Sequence, residues 1–399
     1  MRRRVWGALC GMSFGALTAC GDSGGPGQSV HPMDFYVAFP MNIDATQDAT
    51  LSLRIAGAAG IGGTVTAPGL AFTTTFTTDG TGLATVSIPA TAMIDDVDTV
   101  QARGVIIHAN DSVAVIAVND KPGSMHAAAL LPARAGDTAF AVMAWGGGPQ
   151  PGSYLAIAAR QATTSVTITP TATSGSRSAN APFAIVLNAG DVYQLVADDS
   201  TGDLSGSIIH ADKPVSVYGG HRVGTVPIDN CCAGLLWTSI PSFASASGLD
   251  FITMPLSGRT GYWLRAVGLR AGTTIVTSGV TGFGTTLNPG QVVTARTTTA
   301  ARITSNQPIL LAQLAEGWGI DGSGTDPCLA LVPPVSRYTS GTVFARPATQ
   351  ASDPYVNVVV SSGNAASIRV NGTAPAVTFT AIGSTGYSGA AIPLTALVT

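Results

Sequence analysis

Ile106 to Val115 reads IIHANDSVAV, Ile208 to Val217 reads IIHADKPVSV, and Ile303 to Leu311 reads ITSNQPILL. Each stretch is a β-branched run, a turn of Asn, Asp, Ser or Pro, and a second apolar run. That order is the signature of a hairpin. Ile107, Ile209 and Ile303 stand 102 and 94 positions apart. The surroundings recur as well. Leu187-Asn188-Ala189-Gly190 returns as Leu287-Asn288-Pro289-Gly290. Tyr154, Tyr262 and Tyr355 open YLAIAARQATTSVTI, YWLRAVGLRAGTTIV and YVNVVVSSGNAASIRV. After each hairpin comes an apolar segment with proline: ALLPA at 129–133, SIPSF at 239–243 and LVPPV at 331–335. A strand-like run follows each time, FAVMAW at 140, FITMPL at 251 and VFARPA at 343, and FYVAFP at 35 opens the series. The chain is therefore a tandem array of units of about 100 residues, each with about six to eight short strands. Such spacing fits tandem β-sandwiches or a β-propeller, and the lack of linkers between units leans slightly towards a propeller of about six blades.

Composition supports an all-β chain. Charged residues make up only 10 % of the 399, well below the usual quarter. There is one glutamate, Glu316, and two lysines, Lys121 and Lys213. Helix surfaces draw on these residues, and strands draw on the Thr and Val that recur here. The mean hydropathy is positive at +0.34, yet no run of eighteen apolar residues follows the N-terminus, as a second membrane span would require. Without Arg2, Arg3 and Arg4 the formal net charge moves from −3 to −6. Such an exterior does not suit nucleic acid.

The N-terminus reads as an address. Arg2 to Arg4 precede an apolar stretch, Val5 to Leu17, of the length of a signal-peptide core. Leu17-Thr18-Ala19-Cys20 resembles the lipobox cut by lipoprotein signal peptidase. This predicts a signal peptide over 1–19, a lipidated Cys20 with a Gly/Ser/Pro tether over 20–32, and the all-β repeat domain over 33–399. Two or more acyl chains would hold Cys20 stably in a membrane. Gly21 after the cysteine favours the outer membrane, on its periplasmic or surface face. Gly21 to Pro26 spells GDSGGP, the string around a serine-protease nucleophile, but only signal peptide precedes Ser23 to supply the histidine and aspartate.

A longer resemblance covers the mature chain. Asp203-Leu204-Ser205-Gly206-Ser207 leads into IIHADKPVSVYGGHR; Val226-Pro227 leads to Cys231-Cys232 and then FITMPLSGRTGYWLRAVG. Ile309 to Gln313 is followed by Asp326-Pro327 and Val332-Pro333-Pro334. In this order, from about residue 35 to residue 375, the motifs resemble the IgGFc-binding protein N-terminal domain family. The resemblance implies an extracellular binding or adhesion module, not an enzyme. Family members often carry a Cys-Asp-His step near the position of Cys231, where this chain has CCAGLLW.

Candidate sites are few. Three cysteines remain for the mature fold, and a bridge from the Cys231/Cys232 pair to Cys328 fits an oxidising compartment. No histidine lies at zinc-ligand spacing beside them. His108 and His210 share a repeat position that holds Thr304 in the third unit, as a strand residue would. The aspartates at 95, 96 and 98, and at 198, 199 and 203, match no EF-hand spacing and read as turn residues. Neither cofactor nor metal is expected. The long irregular stretches 223–248 and 317–328 are the natural binding loops, with Leu236, Trp237, Trp318, Asp321 and Asp326 as their candidate residues. The expected function is a lipid-anchored module that binds an unidentified protein or glycan. The alternative is a structural envelope lipoprotein that assembles with other proteins. A secreted hydrolase fits least.

Overall fold

A computed structural model describes residues 32–245, 248–342 and 355–394. Cys20, the expected signal peptide and nearly all of the expected tether lie outside the described residues, as does the VFARPA run at 343–348.

The first unit holds β1 (Met33–Val37), β2 (Thr50–Gly57), β3 (Gly62–Ala67), β4 (Phe72–Thr77), β5 (Leu83–Ile88), β6 (Val100–Gln101), β7 (Val105–Ala109), β8 (Val113–Lys121) and β9 (Ser124–Ala129). They form two sheets, ordered β1-β7-β3-β4 and β5-β2-β8-β9. The second unit holds β10 (Ala139–Ala141), β11 (Ser153–Ala159), β12 (Thr164–Thr169), β13 (Phe183–Leu187), β14 (Val192–Val196), β15 (Ile208–Ala211), β16 (Val215–Gly224) and β17 (Gly234–Ile240). It repeats the same plan as β10-β15-β12-β13 and β17-β16-β11-β14, with β6 added at the far edge of the second sheet. The third unit holds β18 (Gly248–Thr253), β19 (Tyr262–Gly268), β20 (Thr273–Ser278), β21 (Thr286–Leu287), β22 (Val292–Thr297), β23 (Ala301–Ala315), the single turn α1 (Trp318–Asp321) and β24 (Cys328–Leu331). Three further strands, β25 (Tyr355–Ser361), β26 (Thr380–Ala381) and β27 (Tyr387–Pro393), form a last sheet ordered β25-β27-β26.

In the first two units the two sheets face each other across a shared core, and in the third a single seven-stranded sheet bends at β23 around a core of its own. In the first unit Phe35, Val65 and Ile107 of one sheet pack with Leu53, Val86 and Val115 of the other. The all-β repeat expectation stands, and of its two architectures the structure shows tandem sandwiches. No radial set of propeller blades is present among the described residues.

The repeated motif proves to be a corner rather than a hairpin. β7 pairs with β1 and β3, whereas β8 pairs with β2 and β9. Asn110 to Ser112 therefore carries the chain from one sheet to the other. In the third unit the corner is a bend within one strand. Residues 301–305 of β23 pair with β18 and β20, and residues 309–315 pair with β19 and β24. Pro308, which has no N–H to give a ladder, stands where the strand changes partners. A polar turn between β-branched runs serves both geometries, so the local sequence does not separate them.

Packing between units explains why no linkers separate them. β11 is buried on both faces. Leu155 and Ile157 enter the core of their own sandwich, while Tyr154, Ala156 and Ala158 pack on the first unit. The third unit repeats this: Leu310, Ala312 and Leu314 join the second unit's core, and Ile309 and Leu311 their own. The Leu-Asn-x-Gly motif makes the joint. Gly190 and Gly290 adopt φ of 83° and 79°, which glycine tolerates without strain. The Gly104 N–H donates to the Gly190 carbonyl at 2.8 Å. One repeat later, Gly206 lies so close to Gly290 that a Cβ on it would fall 1.8 Å from the Gly290 oxygen.

Candidate binding surface

In the first unit, β8 turns into β9 through Pro122 and Gly123 alone. The equivalent connections of the next two units are expanded, to 225–233 after β16 and 316–327 before β24. These loops meet, together with the glycine-rich segment 145–152 before β11. The Gly317 N–H donates to the Val226 carbonyl and the Gly319 N–H to the Cys231 carbonyl, both at 2.7 Å. The Trp145 Nε1–H donates to the Thr225 carbonyl at 2.7 Å, and the Thr225 N–H to the Gly147 carbonyl at 3.0 Å.

A buried ionic frame holds this cluster from below. Arg259 Nη1 lies 2.7 Å from Asp321 Oδ2, with side-chain exposures of 4 % and 0 %. The same nitrogen donates to the Glu316 carbonyl and to Ser323 Oγ. The single glutamate of the chain, Glu316, is wholly buried. Its Oε1 accepts from Arg296 Nε at 2.6 Å and Trp263 Nε1 at 3.1 Å, and its Oε2 accepts from Arg296 Nη2 at 2.9 Å. A buried charge needs such satisfaction. These carboxylates are consequently committed to protein partners.

Seven large hydrophobic side chains are exposed among the described residues, and three of them stand on these two adjoining loops: Ile228 at 43 %, Trp318 at 52 % and Ile320 at 37 %. The helical turn α1 presents the last two and ends at Gly322 with φ of 66°. Exposed large apolar side chains on braced, adjoining loops are candidates for an interaction surface.

The sequence candidates divide sharply. Trp318, Asp321, Asp326, Cys231 and Cys232 are brought together, although the Asp321 carboxylate is sealed beneath the surface. Leu236 and Trp237 are corrected. They belong to β17 and are fully buried, Leu236 in the second unit's core and Trp237 at the joint with the first. Cys231 and Cys232 are joined to each other, with an S–S distance of 2.12 Å. Cys328 is buried at the head of β24. The Asp-rich turns hold protein groups: Asp95 pairs with Arg103, Asp98 with Arg177, and Asp203 with Arg265. Among the described residues no group of three or more His, Cys, Asp or Glu could hold a metal ion. Sequence reasoning missed Ile228, Ile320 and the frame of Arg259, Glu316 and Arg296.

The model of the IgGFc binding protein family matches residues 126–398. This chain belongs to that family. The match begins within β9, so it leaves out most of the first unit, which has the same strand order as the second. No curated protein sequence matches the chain. Two solved structures show slight similarity. One is from a 1.5-MDa bacterial ice-binding adhesin, with 12 % identity over 76 % of this chain and 97 % of that one, at a TM-score of 0.15. The other is a GH78 family rhamnosidase of Bacillus sp. GL1, with 9 % identity over 76 % of this chain and 53 % of that one, at a TM-score of 0.13.

One acid in this family member sits under strain. Burial against Gly234 pushes the Asp326 carboxyl up to about 6, an effect the Arg259 charge opposes. The unfolded chain ionises this group near 3.8 and the folded chain near 6. The penalty therefore grows as pH rises between these values and is complete above 6. Asp326→Asn is expected to stabilise the protein by about 2–3 kcal/mol at pH 7 and by almost nothing at pH 3.5. Urea unfolding of both proteins at the two pH values measures the difference.

Proposed function

We propose that this chain is a lipid-anchored, extracellular, non-enzymatic module that binds a protein ligand through the surface formed by Ile228, Trp318 and Ile320. The observation that carries the reading is an exposed tryptophan flanked by isoleucines on loops locked by buried ion pairs. Such a surface buries apolar area on binding without first losing loop entropy. Membership of a binding-protein family supports it. The family's description makes the immunoglobulin Fc fragment the first probe, within an array of proteins and glycans. The mature chain is expected to retain at least one protein on that array. Silence across the proteins, or retention of glycans alone, would overturn the reading.

The anchor is the second part of the proposal. Its support is Arg2 to Arg4, the apolar stretch to Leu17, and the Leu17-Thr18-Ala19-Cys20 step. No helix among the described residues is long and apolar enough to cross a membrane. Through Cys20 the module would sit on the bacterial outer membrane, spaced from it by the tether. Cys20→Ala is expected to move the protein from the membrane to the soluble fraction with an unchanged melting temperature. Retention in the membrane fraction would show that something other than this lipid holds it.

A further inference from the structure

β9, β17 and β24 are the last strands of the first three units, and they lie side by side. The face of β9 that carries Ser124, His126 and Ala128 meets the face of β17 that carries Leu235 and Trp237. Ala128, Leu235 and Trp237 share one core, and the Leu235 N–H donates to Ser124 Oγ at 2.8 Å. Where β24 and the third unit close over this junction they leave a crevice of about 80 Å³. A water molecule needs about 10–15 Å³ of such space, so the crevice holds a molecule several times larger. Phe251, Leu310 and Leu329 form much of its apolar wall, and among the described residues His126 is the only acidic or basic side chain that lines it.

Two buried side chains in that wall carry polar atoms the protein leaves unpaired. His126 is 5 % exposed and Trp237 is fully buried. Trp237 Nε1 and both ring nitrogens of His126 have no hydrogen-bond partner among the described residues. The Ala127 backbone stands beside the His126 ring without the geometry of a hydrogen bond. Buried polar atoms in folded proteins are almost always paired, so these three call for a group from outside the chain. Burial keeps the His126 ring neutral at pH 7, with one nitrogen a donor and the other an acceptor, while the indole N–H can only donate. A ligand group that only accepts would leave the bare imidazole nitrogen unpaired, and an ionised group would find no counter-ion. A hydroxyl meets both demands, because it accepts from the indole and donates to the imidazole.

We propose that this crevice binds a small, uncharged, apolar molecule bearing a hydroxyl group, with a simple phenol as the type. The ring lies against Phe251, Leu310 and Leu329, and the hydroxyl sits between His126 and Trp237. The site is separate from the Trp318 surface, since no residue of the loops 225–233 and 316–327 lines it. All three units contribute to its wall, so an occupant also braces the joint between them and raises the melting temperature as its concentration rises.

The test titrates para-fluorophenol, fluorobenzene and para-fluorobenzoate into the mature chain and follows each by fluorine NMR. The phenol is expected to bind saturably and about tenfold more tightly than fluorobenzene, the factor for one net hydrogen bond. The benzoate is expected not to bind. His126→Leu keeps the bulk of the ring and removes both nitrogens, and is expected to abolish most of the preference for the phenol while fluorobenzene binds as before. Ala330→Leu fills the crevice from a partly exposed position on β24, and is expected to block both probes at an unchanged melting temperature. Absence of saturable phenol binding, equal affinities for the phenol and fluorobenzene, or a preference that survives His126→Leu would overturn the proposal. So would phenol binding that persists in Ala330→Leu, because the site would then lie elsewhere.

Discussion

Replacing Trp237 by alanine is expected to cost about 3–5 kcal/mol, the range for truncating a buried tryptophan. Trp237 is fully buried and packs between units, 5.5 Å from the Phe39 ring and 5.9 Å from the Tyr218 ring, centroid to centroid. Phe39 follows β1 in the first unit, while Tyr218 and Trp237 lie on β16 and β17 of the second. The cavity would therefore open at the joint, where neither sandwich can close it alone. Urea unfolding followed by near-UV circular dichroism reads the loss. A cost below about 1 kcal/mol would mean that the units are not joined in this way. Trp318→Ala provides the contrast, because truncating a half-exposed side chain should leave the unfolding midpoint within error of the parent.

Acid should destabilise the fold well above the range of its carboxylates. Burial lowers His126 from an ordinary 6.5 to about 4. Burial, with a smaller contribution from the Arg222 charge, lowers His221 to about 3. His126 lies on β9 at the crevice lined by β17 and β24, and His221 lies on β16 packed beneath Gly148 and Gly152. Below pH 6.5 the unfolded chain takes up these protons and the folded chain does not. The stability is therefore complete above 6.5 and is lost as pH falls toward 4 for His126 and toward 3 for His221. Each contributes a loss on the order of 3–5 kcal/mol by pH 3. Asp326 opposes part of it between pH 6 and 4. Unfolding free energies measured from pH 7.5 to 3.5 should fall steeply below 6.5, and more gently in His126→Gln. A flat profile down to pH 4.5 would contradict the burial of both rings.

The period of the array was legible because each unit spends the same residues on the same corner, β-branched runs about a polar turn. Its geometry was not, because pairing across a sheet is a property of distant segments. IIHANDSVAV looks the same whether its halves pair with each other or with β3 and β2. The run YLAIAA shows the same limit. Burial on both faces removes the polar alternation that would have assigned it to a sandwich. By sequence alone Trp237 falls within the irregular stretch 223–248. Its neighbours held a better signal. Trp237 stands four positions before Pro241, as Ala128 does before Pro132 and Leu329 before Pro333. All three prove to be buried strand residues. Trp318 was legible as a loop residue from GWGIDGSG. Ile228 and Ile320 were not, since single isoleucines between glycines and aspartates are common on surfaces. The frame beneath them depends on Arg259, Arg296 and Glu316, which come together only when β19, β22 and β23 pair.

Affinity of the strongest protein hit for the Trp318→Ala variant tests the binding surface most directly. Biolayer interferometry is expected to show a Kd at least about tenfold weaker than the parent's, as for loss of a central aromatic anchor, with an unchanged melting temperature. An unchanged Kd in a variant that melts with the parent would contradict it, and would place the ligand elsewhere on the array.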